Sequence, residues 1–223
     1  MSYEVVHIDE LESFPIANQD GLTWRPVRRR FDIRAFGVNA YTAEREGQRV
    51  VEEHRETNGH EELYVVIAGR ATFTLDGDEH DAPAGTLVHC PPDTLRSAFA
   101  AEPGTTVLGI GAKPGEVFQP SGWEWSFAGF SYLRQGDTER GRAELAAGVA
   151  AVPDSWHAHY NLACFEALAG DTDTALEHLE RAAELEPNEV AKLARDDEDF
   201  TSLRDNERFL AIAGQAKPAG SSS

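Results

Sequence analysis

A 34-residue repeat in the second half of the chain constrains its fold more than any other feature of the sequence. The pair Gly136-Asp137 recurs as Gly170-Asp171, and Pro153 recurs as Pro187. Small residues return at the same interval wherever two helices would have to touch, and a proline returns where the second helix of a pair would have to end. The small residues are Gly129, Gly141 and Gly148, followed by Ala163, Ala175 and Ala182. The pattern predicts two stacked pairs of helices.

The second copy resembles the tetratricopeptide repeat in its small and apolar positions and its closing proline, namely Leu162, Ala163, Ala175, Ala182 and Pro187. A repeat of this kind buries its apolar stripe only against neighbouring elements. The register then decays, because Asp196 and Asp197 stand where the repeat requires apolar or small residues. We therefore expect two repeats, followed by short capping helices through Phe200 and Ile212, and packing of the repeats on another surface.

The charge of the chain restricts its partners. Its 223 residues include 39 acidic and 20 basic side chains, for a formal charge of −19. Such a surface repels phosphate backbones and anionic lipids, so nucleic acid and membrane partners are not expected. Two cysteines do not form a disulfide framework, and the first ten residues resemble no signal peptide. We therefore expect a cytoplasmic protein.

The first half of the sequence predicts β-strands. Residues 61–75 form two apolar, β-branched segments separated at Gly69-Arg70. In the first segment Glu62, Tyr64 and Val66 would face one side of a sheet, and Leu63, Val65 and Ile67 the other. Turn residues at close spacing, such as Asn58-Gly59, predict a sandwich or small barrel. We predict a barrel over residues 1–112, a linker over 113–122, helical repeats with capping helices over 123–213 and a disordered tail over 214–223.

Within residues 47–100 the sequence resembles the two motifs of the cupin family. Glu62 precedes Gly69 by the spacing that closes the first motif, Gly85 precedes Pro91 by the spacing that opens the second, and Gly47 stands near the start of the first. The resemblance implies a jelly-roll β-barrel, an α+β class for the whole chain and a homodimer. It also implies a divalent metal held by two histidines, a glutamate and a third histidine.

The chain departs from the metal-binding pattern of the resembled family. His54-x-Glu56 replaces the first pair of histidines, Arg96 stands where the third histidine is expected, and Glu62 is unchanged. Arginine offers hydrogen-bond donors and no lone pair, so it cannot ligate a metal. Two carboxylates in one partly buried space repel each other, and Arg96 could neutralise one of them through a forked pair.

Three interpretations of this cluster stay open. It is an ion pair that has replaced the metal, or Arg96 receives the carboxylate or phosphate of a small ligand, or a divalent ion is bound by His54, Glu56 and Glu62 with help from His60. The candidate ligand-binding residues are His54, Glu56, His60, Glu62, Tyr64 and Arg96, and the candidate metal ligands are His54, Glu56 and Glu62.

Other polar residues are predicted to have structural roles. Asp137, Asp154-Ser155, Asp171 and Asp173 stand where helix N-caps are expected, and Cys90 is expected to be a buried apolar residue. His157 and His159 are two apart on a predicted helix and point in different directions. The basic run from Arg25 to Arg30 is expected to pair with neighbouring acids.

The sequence therefore favours a small-molecule-binding barrel with a degraded metal site, joined to a helical domain for packing, dimerisation or binding of a protein partner. No nucleophile motif, phosphate-binding loop or Cys-x2-Cys pair is present, which lowers the expectation of hydrolase, kinase or redox chemistry. The alternatives are a metal-dependent enzyme of the dioxygenase or isomerase type with a drifted His/Glu/Glu ligand set, and a non-catalytic adaptor acting through its helices. No cofactor other than a possible divalent metal is indicated, and the catalytic residues are unknown.

Overall fold

The computed structural model describes residues 4–16, 21–57, 59–118, 120 and 122–214. The chain divides into two compact units, Met1–Pro120 and Ser121–Ser223. We call them the strand unit and the helical unit, after the elements that they contain. The predicted α+β class is confirmed, since a unit of packed sheets precedes a unit of helices.

The strand unit is a barrel of two antiparallel sheets. One sheet has the strand order β1-β2-β3-β10-β5-β8 and the other has the order β4-β9-β6-β7. The strands in the described residues are β1 (Phe14–Pro15), β2 (Leu22–Arg25), β3 (Gly37–Ala43), β4 (Arg49–His54), β5 (Glu61–Ala68), β6 (Arg70–Leu75), β7 (Asp78–Pro83), β8 (Leu87–Cys90), β9 (Arg96–Ala100) and β10 (Thr106–Ala112).

Alternation along β5 decides which side chains face the interior. Tyr64 and Val66 are buried and Glu62 is partly buried, whereas Glu61 and Ile67 are exposed. The alternation predicted for this strand is therefore confirmed. The interior between the sheets is filled by apolar side chains from both, including Val66, Phe73, Ala98 and Val107.

A sharp turn joins β5 to β6, as the sequence predicts. Gly69 has a φ of +67°, in the left-handed region that glycine tolerates best. A Cβ atom at this position would lie 2.6 Å from Thr105 Oγ1 and 2.8 Å from its Cα, so no larger residue fits without moving the chain.

The basic run of the strand unit is largely paired. It spans the end of β2 and the short helix α1 (Val27–Arg30), and a 3-10 helix (Ile8–Glu10) precedes β1. Arg25 lies 3.7 Å from Asp9, and Arg30 lies 2.5 Å from Glu4. The predicted pairing with neighbouring acids is therefore confirmed for these two arginines.

The helical unit contains two consecutive helix pairs and a shorter C-terminal group. Its elements are α2 (Trp123–Arg134), α3 (Thr138–Ala151), α4 (Trp156–Ala169), α5 (Thr172–Leu185), α6 (Pro187–Asp196), a 3-10 helix (Glu198–Leu203) and α7 (Glu207–Ala213). The side chains of Asp137, Ser155 and Asp171 accept hydrogen bonds from backbone N–H groups one turn on and so cap α3, α4 and α5. Asp173, predicted as a cap, lies instead in the first turn of α5.

The repeated small residues lie where helices touch. A Cβ atom on Gly141 in α3 would lie 2.7 Å from the carbonyl oxygen of Gly129 in α2 and 2.7 Å from the ring of Phe165 in α4. One on Gly148 would lie 2.9 Å from Cβ of Trp125. The pairs therefore pack as the repeat predicts, while their assignment to the tetratricopeptide class stays a prediction.

Two predicted features extend beyond the described residues. The described residues do not include Asn58 of the predicted turn at Asn58-Gly59 or the part of the predicted tail that follows Gly214. Of the helices in the described ranges, none is long and apolar enough to cross a membrane.

Candidate functional site

Two strands of one sheet and one strand of the other bring the candidate residues together. His54 ends β4 and is paired with Arg96, the first residue of β9. Glu62 and Tyr64 come from the inward side of β5 in the opposite sheet, and Glu56 follows β4 in the connecting loop. We call His54, Glu56, Glu62, Tyr64 and Arg96 the Glu62 cluster.

One oxygen of Glu62 is the centre of this cluster. The hydroxyl of Tyr64 donates to Oε2 over 2.6 Å, Arg96 Nη2 lies 3.2 Å from the same atom, and His54 Nε2 lies 3.5 Å from it. Burial by itself raises the pKa of Glu62, but the contacts from His54, Tyr64 and Arg96 outweigh burial, and the pKa lies below its ordinary value. Glu62 is therefore a carboxylate at neutral pH.

The ring of His54 is oriented by the backbone. Its Nδ1 lies 2.7 Å from the carbonyl oxygen of Glu52. A carbonyl only accepts, so Nδ1 carries a proton and Nε2 faces Glu62 and Glu56, at 3.5 and 3.7 Å. The contact with Glu62 is the main cause that raises the pKa of His54, against the opposing effect of burial.

Tyr64 and Cys90 stay protonated beside this charge. Burial raises the pKa of Tyr64, and the neighbouring Glu62 carboxylate raises it further, so the phenol acts as a donor. Burial also raises the pKa of the Cys90 thiol. Cys90 is fully buried and reads, as predicted, as a small apolar residue rather than a nucleophile.

Arg96 is fully buried, with 0% of its side chain exposed. Its Nη1 donates weakly to the carbonyl oxygen of His54 over 3.5 Å. Its contact with Glu62 has the distance of an ion pair but not the angle of a hydrogen bond, so among the described residues Nε and Nη2 donate to no acceptor. A forked pair was expected at this position from the sequence, whereas Arg96 and Glu62 make a single contact.

This arrangement lies inside a recognisable domain. Residues 43–108 match the family model described as Cupin domain. The chain contains a cupin domain. No curated protein matches the chain.

Several solved structures are similar to the cupin domain. An RmlC-like cupin protein from Desulfovibrio desulfuricans is 25% identical over 35% of this chain and 73% of its own, with a TM-score of 0.33. A cupin-superfamily sugar phosphate isomerase from Silicibacter pomeroyi is 19% identical over 49% and 76%, with a TM-score of 0.42. KdgF from a Halomonas species is 16% identical over 49% and 93%, with a TM-score of 0.39.

The cupin domain offers three groups that could converge on a cation. Ligand atoms of His54, Glu56 and Glu62 all lie within 4.8 Å of one another. One imidazole and two carboxylates are donors that divalent ions accept. However, the Arg96 guanidinium lies 3.2 Å from Glu62, and that charge opposes a second cation at the same carboxylate. The residues therefore fit a charge-compensated cluster better than a resident metal.

The remaining candidate, His60, is placed differently. It is half-buried in the loop before β5 and does not belong to the three-residue group. His89, on β8, is exposed and lies 2.6 Å from Glu61 on the outer side of the sheet. The roles of the candidate residues in binding stay predictions.

Two glycines in β10 lie against the Glu62 cluster, and their role was not predicted from the sequence. Gly109 pairs with Tyr64 and Gly111 pairs with Glu62 in the adjacent strand. A Cβ atom on Gly111 would lie 3.1 Å from Glu62 Cγ, and one on Gly109 would lie 3.4 Å from the Tyr64 ring. Gly-x-Gly within a predicted strand is the signal that could have indicated this close approach.

A second group of residues whose side chains could ligate a metal was also not predicted. Ligand atoms of Cys164, Asp197 and Asp199 in the helical unit lie within 4.8 Å of one another. Asp197 accepts from the Tyr160 hydroxyl over 2.8 Å and from the backbone N–H of Asp199 over 3.0 Å. These bonds give Asp197 a structural role in joining α4 to the turn after α6.

Proposed function

We propose that the cupin domain binds a small organic molecule at the Glu62 cluster without the help of a metal. The observation that supports this function is the fully buried Arg96 beside Glu62. A guanidinium there supplies the positive charge that a metal would otherwise supply to the carboxylates. The carboxylates of the cluster then have a compensating positive charge without a bound metal ion.

The side chains of the Glu62 cluster differ in how far a ligand could reach them. The exposed fractions of the His54, Glu56 and Glu62 side chains are 33%, 23% and 19%, whereas Arg96 is enclosed. A molecule entering the barrel would meet the imidazole and the two carboxylates first. Polar groups that are partly buried and converge in this way are typical of binding sites.

For the helical unit we propose a role in protein contacts, either with a second copy of the chain or with another protein. Exposed leucines on three of its helices support this role, namely Leu168, Leu193 and Leu210. Two repeats are also fewer than a free-standing stack usually requires. Light scattering of the purified protein would test dimerisation, and a monomer at micromolar concentration would count against it.

A metal-dependent cupin enzyme is the second candidate. The convergence of His54, Glu56 and Glu62 within 4.8 Å favours it. In that case the imidazole of His54 and the carboxylates of Glu56 and Glu62 would hold a metal ion, and the ion would act as a Lewis acid on a bound substrate.

Metal quantification combined with mass spectrometry of co-purified small molecules separates the two candidates. The protein should be dialysed against zinc, manganese or iron(II) and its metal content compared with that of His54→Ala. We expect no stoichiometric metal in either protein and a small molecule that is released on denaturation. One metal per chain that disappears in His54→Ala would overturn the proposed function in favour of the enzyme.

A further inference from the structure

The Glu62 cluster presents two complementary kinds of hydrogen-bonding group. Glu56 and Glu62 are acceptors, and their side chains are partly exposed. Arg96 Nε and Nη2 are donors that are fully buried and have no hydrogen-bond acceptor within the described part of the chain. These donors are enclosed, so Arg96 acts on a group bound at the glutamates through its positive charge rather than through a direct hydrogen bond.

The charges of the cluster disfavour an ionic ligand. Two carboxylates and one guanidinium sum to −1, and a protonated His54 would bring the sum to zero. In either state a carboxylate or phosphate adds negative charge beside Glu56 and Glu62, at a cost that rises with burial. An ammonium adds positive charge beside Arg96 and, having no lone pair, cannot accept from it.

A hydroxyl group suits this site, because it donates a hydrogen bond to a carboxylate and adds no charge beside Arg96 or the glutamates. Bound to Glu62, a hydroxyl would also lie near the guanidinium, since Arg96 Nη2 is only 3.2 Å from Glu62 Oε2. Glu56 and Glu62 both lie within 3.7 Å of His54 Nε2, so two hydroxyls on adjacent carbons could use the two carboxylates together.

We infer that the ligand of the cupin domain is an uncharged molecule with several hydroxyl groups, one of which donates to Glu62 beside Arg96 while a neighbouring one donates to Glu56. This inference rests on the proposed function, because it assigns a chemical class to the molecule bound at the same cluster. Selectivity would come from the exposed carboxylates, which accept from hydroxyls, and from the enclosed Arg96 charge, which disfavours cations.

A matched series of hexoses tests the inference with the full-length protein. Glucose, gluconate, glucose phosphate and glucosamine share one skeleton and differ in charge, and their binding can be measured by calorimetry and saturation-transfer NMR. We expect glucose to bind more tightly than its three charged relatives. Glu56→Gln should weaken glucose binding about tenfold, because a bond to a charged acceptor becomes a bond to a neutral one.

Glu79→Gln is the matched control, since Glu79 is exposed on β7 and should leave binding unchanged. Circular dichroism should confirm that both variants fold, and Glu56→Asp provides a second variant that keeps the charge and shortens its reach. Tighter binding of gluconate, glucose phosphate or glucosamine than of glucose would overturn the inference and leave the proposed function standing. If none of the four binds, the inference fails, and the proposed function fails with it only when no small molecule co-purifies.

Discussion

Each unit of the chain contains an arginine–glutamate pair with one fully buried partner, and the two pairs differ in how well they are satisfied. In the helical unit Arg142 donates to both oxygens of Glu166, with Nε to Oε1 at 2.7 Å and Nη2 to Oε2 at 2.9 Å. In the cupin domain Arg96 meets Glu62 through one contact of 3.2 Å and leaves two nitrogens without acceptors.

The difference separates a structural pair from a candidate binding site. Glu166 is 1% exposed, but its partner Arg142 is 34% exposed and can be hydrated, so the forked pair is complete by itself. Arg96 is fully buried and cannot be hydrated in this way. A buried charge with spare donors is unfavourable unless another group uses it, and such groups are concentrated at functional sites.

The largest expected effect of this difference is on stability. Glu62→Ala should lower the free energy of unfolding of the cupin domain by about 3–5 kcal/mol, because Arg96 would stay buried without its counter-charge. Hydrogen exchange of the β5 and β9 amides, measured by mass spectrometry, reports on this unit separately.

The double variant Glu62→Ala/Arg96→Met is the control for that loss. It removes both charges, so it should recover most of the lost stability. A single Glu62→Ala change that costs less than about 1 kcal/mol would show that Arg96 is hydrated, and the contrast with Arg142 would not hold.

Replacing the arginine by the histidine of the resembled family should create a metal site. Arg96→His removes the competing charge and adds a fourth donor to His54, Glu56 and Glu62. If the binding free energy of a four-ligand zinc site is shared equally among its ligands, the gain is about 3 kcal/mol, or roughly a hundredfold in affinity. Titration with zinc against a competing chelator measures the zinc affinity of the variant.

Arg96→Met is the control, because it removes the charge without adding a donor. Equal zinc affinities of Arg96→His and Arg96→Met would contradict the role assigned to the histidine.

The forked pair should tolerate loss of charge better than the Glu62 cluster. Glu166→Gln keeps the shape of the side chain, and Arg142 can turn its guanidinium to water, so we expect a loss of about 1–2 kcal/mol in the helical unit. Hydrogen exchange of α3 and α4 measures this loss. Glu139→Gln, at the exposed third partner of Arg142, should change stability by less than about 0.5 kcal/mol. A loss at Glu166 as large as that at Glu62 would remove the distinction between the pairs.

Much of the fold and part of the site followed from local sequence. The alternation of β5 put Glu62 and Tyr64 on the same face. The repeat put the helix contacts at small residues, and Gly136-Asp137 indicated the N-cap of α3. These predictions depend on periodicity and turn chemistry within a few residues. The Arg142–Glu166 pair was not predicted, because 24 residues separate its partners and only the packing of α3 on α4 brings them together.

The histidines of the helical unit show the same limit. His157 and His159 point apart on α4, as helix geometry requires, but His159 Nδ1 lies 3.0 Å from His178 Nδ1 on α5. His159 Nε2 donates to the carbonyl oxygen of Pro153 over 3.0 Å, so His159 Nδ1 accepts and His178 Nδ1 donates. No pattern in the sequence indicated that His159 and His178 lie in contact.

The smallest expected effect is an opposite dependence of the two units on pH. The pKa of His54 is raised above its ordinary 6.5, mainly by Glu62, so its contribution to stability is complete below pH 6.5 and is lost as the pH rises through its folded value. The pKa of His178 is lowered below 6.5, by burial and by His159, so its contribution is complete above pH 6.5 and is lost as the pH falls through its folded value.

Mild acidification should therefore stabilise the cupin domain and destabilise the helical unit. Hydrogen exchange of each unit between about pH 5 and 8 measures the two slopes. His54→Gln should flatten the slope of the cupin domain only, and His178→Gln should reduce the slope of the helical unit only, where burial also lowers the pKa of His157. The lowered pKa of Glu62 acts below its ordinary 4.5 and so lies outside this range. A cupin-domain slope that is flat or of the opposite sign, and that His54→Gln does not change, would show that Glu62 does not raise the pKa of His54.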